Sequence, residues 1–222
     1  SVGLLIKGII FDVDGTLVQL KVDAVKLRMS MIDVLRERGF DVSSLNYSSY
    51  SQTILDTAMS QIKTGKVEQD AGEVRAHLYS VLDRLELEWG AEAAPIDGID
   101  ETLAKLGDAS VRLGVVTNSG RASAGALLGR YKLLRHFDFI LTRDDVSSMK
   151  PDPEGILKAI EMLELPRESV IYVGDSGIDV RAAKAAGIRM AAVTSGFYTE
   201  ERLKQEGSDY ILRSVNDLFR IL

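Results

Sequence analysis

Short runs of apolar residues, each followed by small polar residues, recur along the chain. They span residues 4–12, 112–119, 137–142, 169–176 and 189–195, with a further run at 209–214. An apolar run of this length that ends at a turn signal is typical of a buried strand. Helix-like segments lie between the later runs, at 122–131, 153–163, 179–186 and 199–205. This alternation predicts an α/β fold with a doubly wound parallel sheet, and the 209–214 run is an edge-strand candidate.

The stretch from residue 20 to residue 95 has a different pattern, with no convincing strand. Its apolar residues follow the three-and-four spacing of amphipathic helices, at Val22, Val25, Met29 and Ile32, at Leu55, Ala58 and Ile62, and at Val74, Leu78, Val81, Leu85 and Trp89. Such stripes can line a cofactor pocket, but we favour a helical bundle with its own core. The predicted domains are therefore an α/β core, 1–19 and 96–222, and a helical insertion, 20–95.

The composition of the 222 residues narrows the classes of function. The formal net charge of -6 argues against a nucleic-acid partner, which needs a basic surface. The absence of cysteine excludes a thiol nucleophile and fits a reducing compartment, so we expect a cytoplasmic protein. No apolar run reaches the roughly 20 residues of a membrane helix, and we interpret the apolar start as a strand. His77 and His136 lie in unrelated contexts, which disfavours a histidine triad or zinc site.

Polar side chains follow four of the predicted strands. They are Asp12 and Asp14 after the first, Thr117, Asn118 and Ser119 after the second, Lys150 after the third, and Asp175 and Asp179 after the fourth. The carboxyl ends of parallel strands meet at one edge of a sheet, so these groups should gather there. Packed carboxylates repel one another unless a cation is present, and Mg²⁺ prefers oxygen ligands. A lysine and a hydroxyl suit a phosphate.

Four motifs carry a resemblance to a known family. "FDVDGT" (11–16), "VVTNS" (115–119), "KPDP" (150–153) and "VGDSGID" (173–179) resemble, in order, the signature motifs of the haloacid dehalogenase superfamily. The insertion after the first motif is similar to the cap of its phosphoglycolate-phosphatase and β-phosphoglucomutase branch. "AAKAAGI" (182–188) and "VTSGF" (193–197) also resemble that branch. The resemblance implies a Rossmann-like core with a helical cap and hydrolysis of a phosphomonoester through an aspartyl-phosphate.

The resemblance also implies a role for each polar residue in these motifs. Asp12 matches the nucleophile. Asp14 matches the general acid and base, with its backbone carbonyl as a metal ligand. Thr117 and the backbone N–H of Asn118 would bind the phosphate. Lys150 would neutralise both the phosphate and the Asp12 carboxylate.

Two further aspartates complete the implied Mg²⁺ site, to which the Asp12 carboxylate also belongs. Asp175 would bind the metal directly. Asp179 would act through water or as an orienting group, and a charge that favours the helix dipole is the alternative. Asp144 and Asp145, after the third strand, are interpreted as solvated loop charges without a role.

We expect the cap to determine the specificity for the substrate. Asp14 favours phosphate-ester chemistry, because the related dehalogenases and phosphonatases lack an aspartate there. By position, residues 43–52 should form the turn that closes over the active site, with Tyr47 and Tyr50 as substrate contacts. Lys63 and Lys66 are a second candidate for contact with a substrate anion, although such lysines are often only surface charge.

Three functions remain open from the sequence. The first is a Mg²⁺-dependent phosphatase of small phosphorylated metabolites. The second is a phosphosugar mutase, which must protect its aspartyl-phosphate from water. The third is a catalytically weak regulatory protein on the same fold. We expect a small phosphorylated metabolite as partner, no nucleic acid, no membrane, and a monomer or homodimer; the identity of the substrate is not predicted.

Overall fold

The computed structural model of the protein describes residues 5–222, so the first residues of the 4–12 run lie outside it. The chain divides into two compact units. One comprises the residues up to Leu20 and from Glu92 onward, and the other is Lys21–Ala91. The borders expected from the sequence, after residues 19 and 95, lie one and four residues from these. Within residues 5–222, no helix has the length and apolar character to cross a membrane.

The larger unit is built on a parallel sheet. The strands of the described chain are β1 (Gly8–Phe11), β2 (Val18–Gln19), β3 (Ala94–Pro95), β4 (Arg112–Val116), β5 (Phe139–Leu141), β6 (Val170–Gly174), β7 (Arg189–Val193) and β8 (Tyr210–Leu212). Six of them form one sheet in the order β5-β4-β1-β6-β7-β8, with every neighbouring pair parallel. Each of the six apolar runs contains one of these strands, and the predicted α/β class is confirmed.

Strand β1 lies in the middle of the sheet, between β4 and β6. Every residue of β1 and β6 is buried. Successive side chains of a strand point to opposite faces, so both faces of the sheet are covered here. The strand order reverses at β1, because the chain moves outward to β4 and β5 and then returns to β6 on the other side. Such a reversal opens a crevice at the carboxyl ends of the strands, which is where ligands bind in open α/β sheets.

The α-helices of the described chain are α1 (Ala24–Glu37), α2 (Ser51–Lys63), α3 (Ala71–Gly90), α4 (Ile99–Asp108), α5 (Arg121–Arg130), α6 (Glu154–Leu163), α7 (Gly177–Ala186) and α8 (Glu200–Glu206). Helices α5 to α8 lie where the sequence predicts them, within one or two residues. Helix α4 is not among the predicted segments, although Ile99, Leu103 and Leu106 have helical spacing and are buried.

The unit Lys21–Ala91 is a bundle of α1, α2 and α3, each of which packs against the other two. The carboxylates of Asp23 and Asp70 accept N–H groups from the first turns of α1 and α3, and this fixes where those helices begin. Gly39 and Gly65 end α1 and α2 with positive φ angles of 82° and 72°, which a side chain would disfavour.

The buried stripes of the bundle agree with the sequence on two helices and differ on the third. Leu55 and Ala58 of α2 are buried, as are Val74, Leu78, Val81 and Leu85 of α3, whereas Ile62 and Trp89 at the ends of these stripes are half-buried. On α1 the buried residues are Met31, Ile32, Val34 and Leu35. The predicted stripe through Val25 is wrong, because Val25 lies at the first turn and is 51% exposed. Helix ends extend beyond the core, so their apolar residues need not be covered.

A short antiparallel pair lies where the chain leaves and re-enters the larger unit. Val18 pairs with Pro95 and Gln19 with Ala94. The expectation of no strand between residues 20 and 95 is therefore wrong at Ala94–Pro95. Two residues are too few to show the alternation that marks a strand in a sequence.

Candidate active site

The carboxyl ends of β1, β4 and β6 place three of the predicted site residues at one edge of the sheet. Asp12 follows β1, and its N–H donates to the carbonyl of Val173 at 2.8 Å. Thr117 follows β4, and its N–H donates to the carbonyl of Leu141 at 3.0 Å. Asp175 follows β6. The ladder hydrogen bonds thus continue to the first polar residue of two of these strands, which fixes the backbone of the site.

Lys150 is the centre of a buried polar network. Its ammonium donates to Asp12 Oδ1 at 2.9 Å, to Asp179 Oδ1 at 2.7 Å and to the Tyr172 hydroxyl at 2.7 Å. The hydroxyl of Tyr172 lies 3.0 Å from the carbonyl oxygen of Val116 and can donate to it. An ammonium has three protons to donate, so Lys150 is fully satisfied by protein groups although it is only 5% exposed. Any bond from Lys150 to a phosphate would have to be shared with one of these partners.

Burial dominates the electrostatics of the carboxylates. It raises the pKa of Asp12 to about 7, although the Lys150 ammonium acts in the opposite direction. Burial and the charges of Asp179 and Asp12 raise the pKa of Asp175 well above its usual value. Burial also raises the pKa of Asp14. Burial alone would lower the pKa of Lys150, but the carboxylates of Asp12 and Asp179 raise it well above its usual value.

The donor set fits a hard cation. Asp12, Asp175 and Asp179 each offer one oxygen, and these atoms lie within 4.8 Å of one another. All three residues are at least 90% buried, and oxygen-only donors of this kind suit Mg²⁺. Burial and then the neighbouring carboxylates raise the pKa of Asp175, and a cation would offset that repulsion.

The two oxygens of Asp179 are already engaged. Oδ1 accepts from the ammonium of Lys150 and lies 3.2 Å from the Tyr172 hydroxyl. Oδ2 accepts from the N–H of Asp175 at 3.2 Å and from the N–H and hydroxyl of Ser176 at 3.1 and 2.8 Å. A carboxylate has about four lone-pair positions, so little capacity remains for a metal. This geometry favours the orienting role for Asp179 over direct ligation.

Two glycines make room for the Asp175 carboxylate. A methyl group added at Gly196 or at Gly15 would overlap Asp175 Oδ2. Gly15 also has a φ of 76°, which favours glycine. Asp175 Oδ2 accepts the N–H of Phe197 at 3.3 Å. The "VTSGF" segment therefore packs directly on this candidate metal ligand, which gives a physical reason for that motif.

Asn118 has a role that the sequence does not reveal. Its side-chain N–H donates to the carbonyl of Lys150 at 2.9 Å, and its oxygen accepts the N–H of Lys150 at 2.9 Å. This two-way pairing fixes the Lys150 backbone against the loop after β4. In the same loop, the Thr117 hydroxyl accepts the N–H of Ser119 at 3.1 Å. The proton of the Thr117 hydroxyl is not used in this bond.

Tyr172 and Arg143 lie at the site and are not among the predicted residues, whereas Ser119 was expected at this edge of the sheet but without a role of its own. The Ser119 hydroxyl donates to Asp14 Oδ2 at 2.9 Å. The Arg143 guanidinium donates to the carbonyl of Asn118 at 3.0 Å and is 1% exposed. Ser119 belongs to the quoted motif "VVTNS" and was within reach of sequence reasoning. Tyr172 reads as a core residue, and Arg143 reads as an exposed charge after a strand.

Asp144 and Asp145 hold the turn after β5 in place. Asp145 Oδ2 accepts the N–H and the hydroxyl of Thr142 at 2.9 and 2.8 Å, and Oδ1 pairs with Arg121 at 2.6 Å. The interpretation of Asp145 as a solvated charge is wrong, because these bonds leave its side chain only 24% exposed. Asp144 is exposed, yet its carboxylate accepts the N–H of Arg121 at 2.8 Å and so caps α5.

The candidate specificity residues all lie in the helical unit. Tyr47 is 64% exposed, and Tyr50 directly precedes α2. Arg28 connects them, since it donates to the carbonyl of Tyr47 at 3.2 Å and lies 5.8 Å from the centre of the Tyr50 ring. Lys63 and Lys66 are exposed at the other end of α2. A helix of 13 residues is about 20 Å long, so the tyrosines and the lysines cannot share one small-molecule site.

Comparisons with known proteins agree with this geometry. The sequence model of the haloacid dehalogenase-like hydrolase family matches residues 9–193. Pyrophosphatase PpaX of Halalkalibacterium halodurans is 32% identical over 168 residues, which cover 76% of this chain and 75% of that protein. Phosphoglycolate phosphatase of Shigella boydii is 28% identical over 233 residues, which cover 98% of this chain and 92% of that protein. The crystal structure of a hydrolase from Pseudomonas syringae shares the fold, with a TM-score of 0.66 at 23% identity and 96% of each chain covered.

The chain therefore belongs to the haloacid dehalogenase-like hydrolase family. The family inferred from the four motifs is confirmed, and so is the enzyme class, a hydrolase of the phosphatase kind.

Proposed function

We propose that this protein is a Mg²⁺-dependent phosphatase that hydrolyses a small phosphomonoester through an aspartyl-phosphate on Asp12. The observation that carries the proposal is the buried pairing of the Lys150 ammonium with Asp12 beside Asp175 and Asp179. Burying several charged groups lowers the folding stability of a protein. Clusters of such groups are typical of catalytic sites.

The chain supplies a nucleophile and a proton carrier for two steps. First, an oxygen of Asp12 attacks phosphorus, the bond from phosphorus to the leaving oxygen breaks, and Asp14 gives that oxygen its proton. Second, Asp14 takes a proton from water, the water oxygen attacks phosphorus, and inorganic phosphate leaves as the Asp12 carboxylate is restored. In both steps the Thr117 hydroxyl donates a hydrogen bond to the phosphoryl group, and the backbone N–H of Asn118 donates a second one.

The residues that would hold Mg²⁺ are the carboxylates of Asp12 and Asp175 and the backbone carbonyl of Asp14, with Asp179 orienting the site. When bound, the ion supplies positive charge next to the phosphoryl oxygens. Lys150 holds Asp12 in place and offsets its charge. Electrostatic placement of this kind accounts for most of the catalysis in phosphoryl transfer.

The relatives suggest which substrates to test first. One is named a pyrophosphatase and the other a phosphoglycolate phosphatase. A suitable panel contains phosphoglycolate, glycerol 3-phosphate, glucose 6-phosphate, β-glucose 1-phosphate, pyrophosphate and p-nitrophenyl phosphate. Phosphate release is measured with Mg²⁺ and with excess chelator, for the wild-type enzyme and for Asp12→Asn. Asp12→Asn keeps the shape of the side chain but removes its ability to attack.

We expect Mg²⁺-dependent release from at least one monoester, and loss of that release in Asp12→Asn with an unchanged melting temperature. Full activity in chelator, or normal turnover by a folded Asp12→Asn protein, would contradict the proposal. Conversion of β-glucose 1-phosphate to the 6-phosphate without net release of phosphate would favour the mutase instead.

A further inference from the structure

The Ser119 hydroxyl is directed at Asp14. It donates to Asp14 Oδ2 at 2.9 Å, and Ser119 itself is 5% exposed. The other oxygen, Asp14 Oδ1, is buried and has no hydrogen-bond partner among residues 5–222. A hydroxyl has one proton to donate, so Ser119 engages one oxygen of the carboxyl group and leaves the other without a hydrogen bond.

The segment that carries Ser119 is itself held firmly. The N–H of Arg143 donates to the carbonyl of Ser119 at 3.2 Å, and the Arg143 side chain donates to the carbonyl of Asn118. The N–H of Ser119 donates to the hydroxyl of Thr117. The backbone of Ser119 is therefore fixed on both sides, and this anchors the residue whose hydroxyl contacts Asp14.

We infer that Ser119 is a positioning residue that holds Asp14 Oδ2, so that Oδ1 faces the leaving oxygen of the substrate. This inference rests on the proposed function, in which Asp14 protonates that oxygen. Without the hydroxyl, Asp14 can rotate about its side-chain torsions and spends less time in the productive orientation. Loss of one such contact is expected to reduce proton transfer without affecting binding of the phosphoryl group.

The dependence on leaving group separates this role from a general structural one. An alkoxide is a poor leaving group and needs its proton as the bond to phosphorus breaks, whereas p-nitrophenolate leaves readily without it. The kinetic constant kcat/KM reports the steps up to departure of the leaving group. A defect in protonation must therefore lower kcat/KM for alkyl esters and spare p-nitrophenyl phosphate, whereas a distorted site lowers both.

The experiment compares Ser119→Ala, Ser119→Thr and Ser123→Ala with the wild-type enzyme. Ser123 is the matched control, because its hydroxyl is also buried but has no hydrogen-bond partner within the described chain. The substrates are p-nitrophenyl phosphate and whichever of phosphoglycolate, glycerol 3-phosphate or glucose 6-phosphate the wild-type enzyme hydrolyses fastest. Both kcat and KM are measured, and melting temperatures verify folding.

For Ser119→Ala we expect kcat/KM to fall roughly tenfold on the alkyl ester, mainly through kcat, and less than about twofold on p-nitrophenyl phosphate. Ser119→Thr, which keeps the hydroxyl, should recover most of the loss, and Ser123→Ala should match the wild type. Equal losses on both esters, or no loss on either, would overturn the role of Ser119 while the phosphatase assignment stands. If Ser119→Ala does not fold, Ser119→Cys, a weaker donor of similar size, must show the same dependence on leaving group. Failure of the wild-type enzyme to hydrolyse any ester would overturn the proposed function and this role together.

Discussion

Burial of the aspartates around Lys150 makes the stability of the metal-free protein depend on pH. Burial raises the pKa of Asp12 from 3.8 to about 7. Between these values the folded protein keeps a proton that the unfolded chain has lost, so the stability of the metal-free protein falls as pH rises through this window. The raised pKa of Asp175 acts with the same sign. Bound Mg²⁺ favours the ionised carboxylates and should oppose this loss.

We therefore predict that Mg²⁺ raises the melting temperature more at about pH 8 than at about pH 5. Asp175→Asn removes one of the repelling charges. It should raise the metal-free melting temperature at the higher pH by about 2 °C or more and abolish the increment due to Mg²⁺. Thermal melts in Mg²⁺ and in chelator measure both effects. Asp108→Asn, at an exposed position, is the control and should keep the wild-type increment. An increment that is independent of pH, or that survives in Asp175→Asn, contradicts this account.

The site residues that directly follow strands were predictable from the sequence. The residues that hydrogen-bond to them were not. Asp12, Thr117 and Asp175 directly follow apolar runs, so their type and position together indicate a site. Tyr172 lies inside such a run and is 0% exposed, which makes it indistinguishable from a core residue in the sequence. Arg143 gives no apolar signal at all. Only the three-dimensional structure shows that both donate or accept hydrogen bonds within the site.

Among the helices and strands, too, those with a clear sequence pattern were predictable and those without one were not. Strands β4 and β6 were predicted because each is a continuous apolar run that ends at a turn signal, and α3 was predicted from its three-and-four spacing, since burial imposes both patterns. The pair formed by β2 and β3 is too short to show any period. The first turn of α1 was misread at Val25, since a periodic pattern does not show where a helix leaves the core. In each case the period is informative only where a neighbouring element covers the residues.

The segment before α2 carries our proposal for substrate specificity. We predict that Tyr47→Ala and Tyr50→Ala, singly, lower kcat/KM for the best natural ester by roughly tenfold or more, about 1.4 kcal/mol. The loss on p-nitrophenyl phosphate should be much smaller, because that ester has little for this segment to hold. Lys63→Ala is the control, since Lys63 lies at the far end of α2.

The two esters distinguish the outcomes. Equal losses on both would mean that the segment acts by excluding water and not by reading the substrate. No loss with either tyrosine, together with a loss in Lys63→Ala, would transfer the specificity role to the lysine end of α2.

The alternation of strands and helices along the chain predicts the type of sheet but not the order of its strands. Strands alternating with helices predict a parallel sheet, because a parallel pair needs a crossover connection. They do not predict that β1 lies between β4 and β6, which depends on how the layers pack. That arrangement brings Asp12, Thr117 and Asp175 to one edge, although they are far apart in sequence. The predicted parallel sheet already indicated that these groups gather at one edge, and the motif resemblance added a role for each of them.

The proposed mechanism requires a covalent bond between Asp12 and the phosphoryl group. The measurement is a rapid acid quench of the enzyme during turnover of its best ester with Mg²⁺, followed by borohydride reduction and peptide mass spectrometry. Borohydride converts an aspartyl-phosphate to homoserine and leaves a free aspartate unchanged. We predict homoserine at residue 12 in the wild-type protein and none in an enzyme quenched without substrate. Normal turnover with an unmodified Asp12, or with the modification at another aspartate such as Asp14 or Asp175, would contradict the account.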